Sequence, residues 1–267
     1  MLTTKGYREA FHREATTLAK DARDLRAGVP SCPRWRVATL LSHLTGPVYA
    51  SRIAQLRALP EDARIGRYED LGLPPEFKAW FEALQADEFS LGEPPEGLLP
   101  LFQRTAATLE DLLYALPPET PIRTWWPPQQ TVGFLQRRMA LETAVHRWDT
   151  QLAYTSPGPI DGELAADGID ESLDVMLPSR RRWARAFRHG SGERYHLHRT
   201  DGPGEWLIIF GPEAIEVRRE HAKGDVALRG SASDLFLWLW RRLPDDRLDV
   251  FGDAALLERF FELAPPD

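Results

Sequence analysis

The run "TVGFLQRRMALETAVHRWDTQLA", residues 131–153, constrains this chain most, because its pattern is helical and yet ionisable side chains occupy the packing face. At 100° per residue, Leu135, Met139, Glu142, His146 and Asp149, spaced four, three, four and three apart, fall in one stripe. A carboxylate buried there needs a cation, a hydrogen-bonding network or a proton. A metal ion is one such cation. Glu142 and His146 stand one turn apart, so a carboxylate oxygen and an imidazole nitrogen can reach a common ion about 2.0–2.2 Å away. Asp149 can accept the imidazole's other N–H. His43 in "LLSHLTG", at the edge of the Leu40/Leu41/Leu44 stripe, is the candidate third ligand. Spacing alone leaves a second reading open, in which Glu142 pairs with Arg138 and His43 bonds a backbone carbonyl.

The surrounding sequence is helical through residue 160. Tyr7, Phe11, Leu18, Ala22 and Leu25 mark a first helix. "VPSCPRW" breaks the chain before a second helix bearing Val37, Leu40, Leu41, Leu44 and Val48, with Pro33 expected in its first turn. "LLPLFQRTAATLEDLLYAL" is a third, and Thr131 is the expected N-cap of the fourth. A Pro/Gly-punctuated stretch from Pro60 to Pro100 holds one short candidate helix, "PEFKAWFEAL". Four long helices predict a bundle over 1–160. "TSPGPIDG" reads as a linker. A helix "ELAADGIDESLDVML" follows, then "RYHLHRT", "EWLIIF" and "AIEVRRE" as strands, with "DGPG" a hairpin signal. "DVALRG", the helix "SASDLFLWLWRRL", the strand "LDVFGD" and the helix "AALLERFFEL" complete 161–267. The expected class is α+β: a four-helix bundle, then a smaller α+β domain whose antiparallel sheet carries helices on one face.

Charge narrows the function. The net charge of −7 and the absence of a long basic block argue against nucleic acid as partner; "RRRWARAFR" reads as a solvated helix face. No apolar run reaches the roughly 18 residues of a membrane span, and the first residues are too charged for a signal peptide, so a cytoplasmic location is expected. The one cysteine, Cys32, has no internal disulfide partner and reads as a turn residue.

"VPSCPRWRVATLLSHLTG" and "TVGFLQRRMALETAVHRWD" resemble the two signature regions of the mycothiol-dependent maleylpyruvate isomerase family. The resemblance implies a DinB-like bundle and a sterol-carrier-like C-terminal domain. It further implies a divalent metal, usually Zn2+, held by His43, Glu142 and His146, with mycothiol as thiol cosubstrate. Two departures stand out: Arg34 replaces the family's glycine after Cys-Pro, and residues Pro60 to Pro100 match nothing in the pattern. That stretch is expected to shape the substrate pocket. The family pattern also implies a C-terminal-domain arginine for an anionic substrate group; Arg229, Arg241 and Arg242 are candidates, Arg229 and Arg241 foremost. Trp126 and Asp149 are the candidates for contact with the thiol cofactor, although Trp125 and Trp126 can equally cap the bundle. His196 and His198 share a strand face, and with no third donor evident beside them they read as solvated positions.

The reading favours an S-transferase over a cis/trans isomerase, since conjugation tolerates a varied pocket. Its partners are a low-molecular-weight thiol and a small electrophile, and the protein is a monomer or homodimer. A metal-dependent hydrolase and a noncatalytic small-molecule binder are the alternatives.

Overall fold

Thr131 caps the helix that carries the polar stripe, its hydroxyl accepting the Phe134 N–H at 3.4 Å. In the computed structural model this helix, α6 (Val132–Leu152), is buried on every side, with Arg137, Arg138, His146, Arg147 and Asp149 among its buried residues. The structure describes residues 1–57, 75–86, 92–183, 188–253 and 255–264. It divides into two units, Leu2–Gly158 and Pro159–Asp267, Met1 clustering with the second.

In the first unit, α1 (Thr4–Asp21) packs on α6 and on α5 (Leu98–Tyr114). Burial of Tyr7, Phe11 and Leu18 follows the sequence pattern, but the helix stops at Asp21, short of Leu25, where the Arg23 N–H turns back to the Asp21 carbonyl. The α1–α6 seam contains an ion pair: Arg147 Nε donates to Glu14 Oε2 at 2.7 Å, and both side chains are about one-twentieth exposed or less, at 5% and 4%. Arg147 also bonds Gln151 Oε1 and the Gly158 carbonyl, so its buried charge is satisfied on three sides.

The fourth bundle member is continuous but irregular. α2 (Val37–His43) widens into a π-helical turn (Leu44–Ala50) and resumes as α3 (Ser51–Arg57). Pro47 lies inside that turn. Proline lacks an N–H and crowds the carbonyl one turn back, and the wider π turn relieves both. Ser42 and Thr45 hydroxyls bond the Ala38 and Leu41 carbonyls at 2.7 Å each. α2 starts at Val37, later than the proline suggested. Trp35 N–H closes on the Cys32 carbonyl and Arg36 pairs with Gly28, which keeps Pro33 in the preceding loop. The candidate helix "PEFKAWFEAL" forms α4 (Pro75–Ala86), and Trp80 Nε1 donates to Ser42 Oγ at 2.7 Å. Most of the remaining Pro60–Pro100 stretch, residues 58–74 and 87–91, lies outside the described residues, as do the side chains of 181–187 in the basic cluster.

In the second unit, α7 (Gly162–Glu171), a π-helical turn (Ser172–Met176) and α8 (Leu177–Trp183) precede a five-stranded sheet. The strands are β1 (Glu193–Arg199), β2 (Glu205–Phe210), β3 (Ile215–Arg218), β4 (Val226–Gly230) and β5 (Asp249–Gly252), in spatial order β3-β2-β1-β4-β5. "DGPG" forms the β1–β2 connection as expected. Three pairs are antiparallel, and β1–β4 adds a parallel pair. Tyr195, Leu197, Trp206, Ile208, Phe210, Val226 and Leu228 are buried on one sheet face. Helices α9 (Ala232–Leu239) and α10 (Ala255–Leu263) cover that face, Phe260 lying 5.0 Å from Tyr195 between ring centres. Gly168 of α7 permits close packing on α9, since a Cβ there would sit 2.6 Å from Phe236 Cζ.

α9 is shorter than "SASDLFLWLWRRL". The Arg241 N–H returns to the Trp238 carbonyl and the Arg242 N–H to that of Leu237, which is a Schellman ending. Arg241 occupies its left-handed position at φ 53°, where glycine is usual.

Candidate metal centre

The stripe of α6 meets α2 at one carboxylate. Glu142 Oε1 lies 3.2 Å from His43 Nε2 and 3.3 Å from His146 Nε2. All three donor atoms lie within 4.8 Å of one another. The alternative partner is present too, on the other oxygen: Arg138, one turn back on α6, donates to Glu142 Oε2. The two readings left open by spacing therefore coexist. Arg138 compensates the buried charge while Oε1 stays turned toward both imidazoles.

Behind His146 the polar chain continues inward. Its Nδ1 lies 3.0 Å from Asp149 Oδ2, and Ser31 Oγ donates to Asp149 Oδ1 at 2.6 Å. Asp149 is fully buried at 0% side-chain exposure. With Nδ1–H given to Asp149, loss of the Nε2 proton would leave the His146 lone pair facing Glu142 Oε1, the tautomer a metal ligand needs. Exposure rises from 7% at His146 and 16% at Glu142 to 29% at His43, which makes His43 the most accessible of the three.

Local sequence sets the remaining walls. The loop before α2 is pinned by Val29 N–H to the Trp35 carbonyl and Val37 N–H to that of Ala27. This places Trp35 over both imidazoles, stacked on His146 at 6.0 Å and tilted toward His43 at 5.1 Å between ring centres. Below, Tyr49 from the π turn shares a 2.6 Å hydrogen bond with Thr143 of α6.

The electrostatics follow. Burial pushes the Glu142 carboxyl up, but Arg138 and the hydrogen bonds from His146 and His43 outweigh it and hold the group well below 4.5. Burial pushes His146 down, yet Asp149 and Glu142 raise it to about 9. An anionic oxygen thus faces a protonated imidazole, and a metal ion entering there would displace that proton. Two imidazoles and a carboxylate converging on one point, oriented from behind, are a donor set suited to zinc with one position left open.

Within the first unit, not every candidate joins this site. Cys32 sits in the 29–35 turn as expected, its N–H bonded to the Val29 carbonyl. Trp126 is 9% exposed in a loop organised by Thr124 and Gln130, where Gln130 Nε2 donates to its carbonyl at 2.8 Å; the indole beside the histidines is that of Trp35. Arg229 is exposed on β4, and Arg241 lies 4.2 Å over the Phe261 ring; both belong to the second unit. Sequence reasoning missed Trp35 and Ser31 as neighbours of the site, although both lie inside the first signature region.

Two family models match the chain: "Mycothiol maleylpyruvate isomerase N-terminal domain" over residues 7–151 and "MDMPI C-terminal domain" over 163–259. The chain belongs to the mycothiol-dependent maleylpyruvate isomerase family. Among solved structures, the crystal structure of the mycothiol-dependent maleylpyruvate isomerase superimposes with TM-score 0.62 at 12% identity, covering 95% of each chain. A histidine-to-alanine mutant of that enzyme gives 0.63 at 12% identity, again over 95% of each chain. These likenesses establish the fold. A comparison with curated proteins finds no match. Among the described residues, no helix is long and apolar enough to cross a membrane.

Proposed function

We propose that this chain is a metal-dependent enzyme that uses mycothiol, or a closely related small thiol, to attack a small electrophile, acting as an S-transferase in preference to a maleylpyruvate-type isomerase. The observation that carries the reading is the convergence of His43 Nε2, Glu142 Oε1 and His146 Nε2 within 4.8 Å, with His43 the most accessible of the three. His43, Glu142 and His146 would hold a divalent ion, zinc by donor chemistry. When bound, such an ion supplies an open coordination position at which a thiol loses its proton at neutral pH.

Ionisation alone is a modest gain. A thiol of pKa about 8.5 is a few per cent ionised at pH 7, so full ionisation is worth roughly thirtyfold. A fall of about two pKa units returns nearly tenfold of that through lost nucleophilicity. Positioning by the protein must supply the rest. Asp149 fixes the His146 ring, Arg138 holds Glu142 by its second oxygen, and Trp35 shields one side of both imidazoles. Arg229 is the arginine retained for an anionic substrate group, because Arg241 is committed to Phe261 and the end of α9, and Arg242 Nη1 donates to the Trp240 carbonyl at 3.0 Å.

Turnover of a model electrophile, with and without mycothiol, in wild type and His146→Ala tests the reading. Thiol-dependent product in the wild type, lost in the variant, is expected. Full turnover without any thiol would instead favour a hydrolase, in which the same open position activates water.

A further inference from the structure

His196 is not a solvated strand position, whereas His198 keeps a partly exposed side chain at 33%. His196 is 5% exposed, and both lie on the sheet face opposite α9 and α10. Register places Glu205 of β2 directly across from His198. Its carboxylate meets three imidazoles: His196 Nε2 at 2.6 Å on Oε2, and His198 Nδ1 at 2.6 Å and His221 Nδ1 at 3.3 Å on Oε1.

His221 comes from the connection between β3 and β4. In the order β3-β2-β1-β4 that connection must pass β2 and β1, three strand spacings or about 14 Å. The eight steps from Arg218 to Val226 reach at most about 29 Å. The connection is long enough to cross, and it brings His221 over the face bearing His196, the two ring centres lying 5.0 Å apart. Leu207, opposite His196 on β2, is fully buried beneath it at 0% exposure.

We propose that His196, Glu205 and His221 form a second divalent-metal site, selective for zinc or nickel, that fastens the β3–β4 connection to the sheet. One donor atom from each lies within 4.8 Å of the others, close enough to settle around an ion about 2.0–2.2 Å from each. Two imidazoles and a carboxylate suit borderline transition metals over calcium or magnesium. His198 binds the same carboxylate through Nδ1 and orients it. The hydrogen bonds to the imidazoles outweigh the upward push of burial and hold the Glu205 carboxyl below 4.5, so the group is anionic at neutral pH. This site shares no residue with the bundle site and does not depend on the thiol chemistry.

The test is zinc stoichiometry and affinity of the tag-free, full-length protein by equilibrium dialysis and elemental analysis, repeated with nickel. Two zinc ions per chain are expected in wild type, and one in each of His221→Ala and His146→Ala. His221 is exposed, so its replacement should leave the fold intact; Glu205→Gln is the second variant, and each should weaken the second zinc by about 100-fold or more. In His146→Ala protein, zinc should slow tryptic cleavage after Arg219 and Lys223, which flank His221. Equal zinc content in wild type and His221→Ala, or cleavage indifferent to zinc, would overturn the proposal.

Discussion

Replacing Asp149 with asparagine should weaken zinc at the bundle site about 10–100-fold, which corresponds to about 1.4–2.7 kcal/mol. Asp149 is fully buried and held from two sides, by Ser31 Oγ at 2.6 Å and His146 Nδ1 at 3.0 Å. Asparagine has nearly the same shape. Its carbonyl oxygen can keep the bond from His146, and its amide can donate to Ser31, whose hydroxyl is free to rotate and accept. Position survives while the negative charge behind the imidazole is lost. The loss therefore reports on ligand basicity more than on packing. Ser31→Ala removes one neutral donor and should cost about 1 kcal/mol, a several-fold effect. The assay is competition for zinc between each variant and a chromophoric chelator, in the His221→Ala background, with unfolding midpoints measured in parallel. Unchanged affinity in Asp149→Asn would refute the reasoning and make the carboxylate a packing element only.

Other consequences are equally direct. Arg147→Met removes the buried donor to Glu14 Oε2 and leaves that carboxylate with Arg13 alone, whose Nε donates to Oε1 at 3.0 Å; it should cost about 1.5–3 kcal/mol, lowering Tm by roughly 3–12 °C in calorimetry without removing zinc. Cys32→Ser should match wild type in metal content and thiol-dependent turnover, since that cysteine is a turn residue outside the donor set. Asp201 accepts from Arg199 Nε at 2.8 Å and from the Ala232 N–H at 3.0 Å, and although burial pushes it up, these bonds hold its carboxyl below 3.8. A depressed carboxyl stabilises the fold above its unfolded value and loses that contribution as pH falls through the folded one. The urea midpoints of wild type and Asp201→Asn should therefore differ at pH 6 and converge below about pH 3.8; a constant difference would contradict this.

Most of the fold was legible where the signal is local. The Thr131 cap, the helical stripe on α6, the "DGPG" hairpin and the strand runs all rest on periodicity or turn chemistry within a few residues. Glu142 and His146 could be paired from spacing, and His43 needed the bundle to bring it near. What escaped is non-local. The π turn at Pro47 depends on how a continuous helix absorbs a proline. The parallel β1–β4 pairing and the site of His221 depend on where a connection crosses. His196 and His198 seemed to lack a third donor because Glu205 reaches them only through strand register. Trp35 and Ser31 stand beside the metal centre through backbone ties across a turn. The left-handed Arg241 ended α9 early, where helical periodicity alone would have carried it on.

The central claim, a thiol acting at a metal held by His43, Glu142 and His146, is tested most directly by the spectrum of the cobalt(II)-substituted His221→Ala protein, in which the bundle site alone is loaded. Addition of mycothiol should produce an intense sulfur-to-metal charge-transfer band that is absent when His146 is also replaced by alanine. A spectrum unchanged by the thiol would contradict the account.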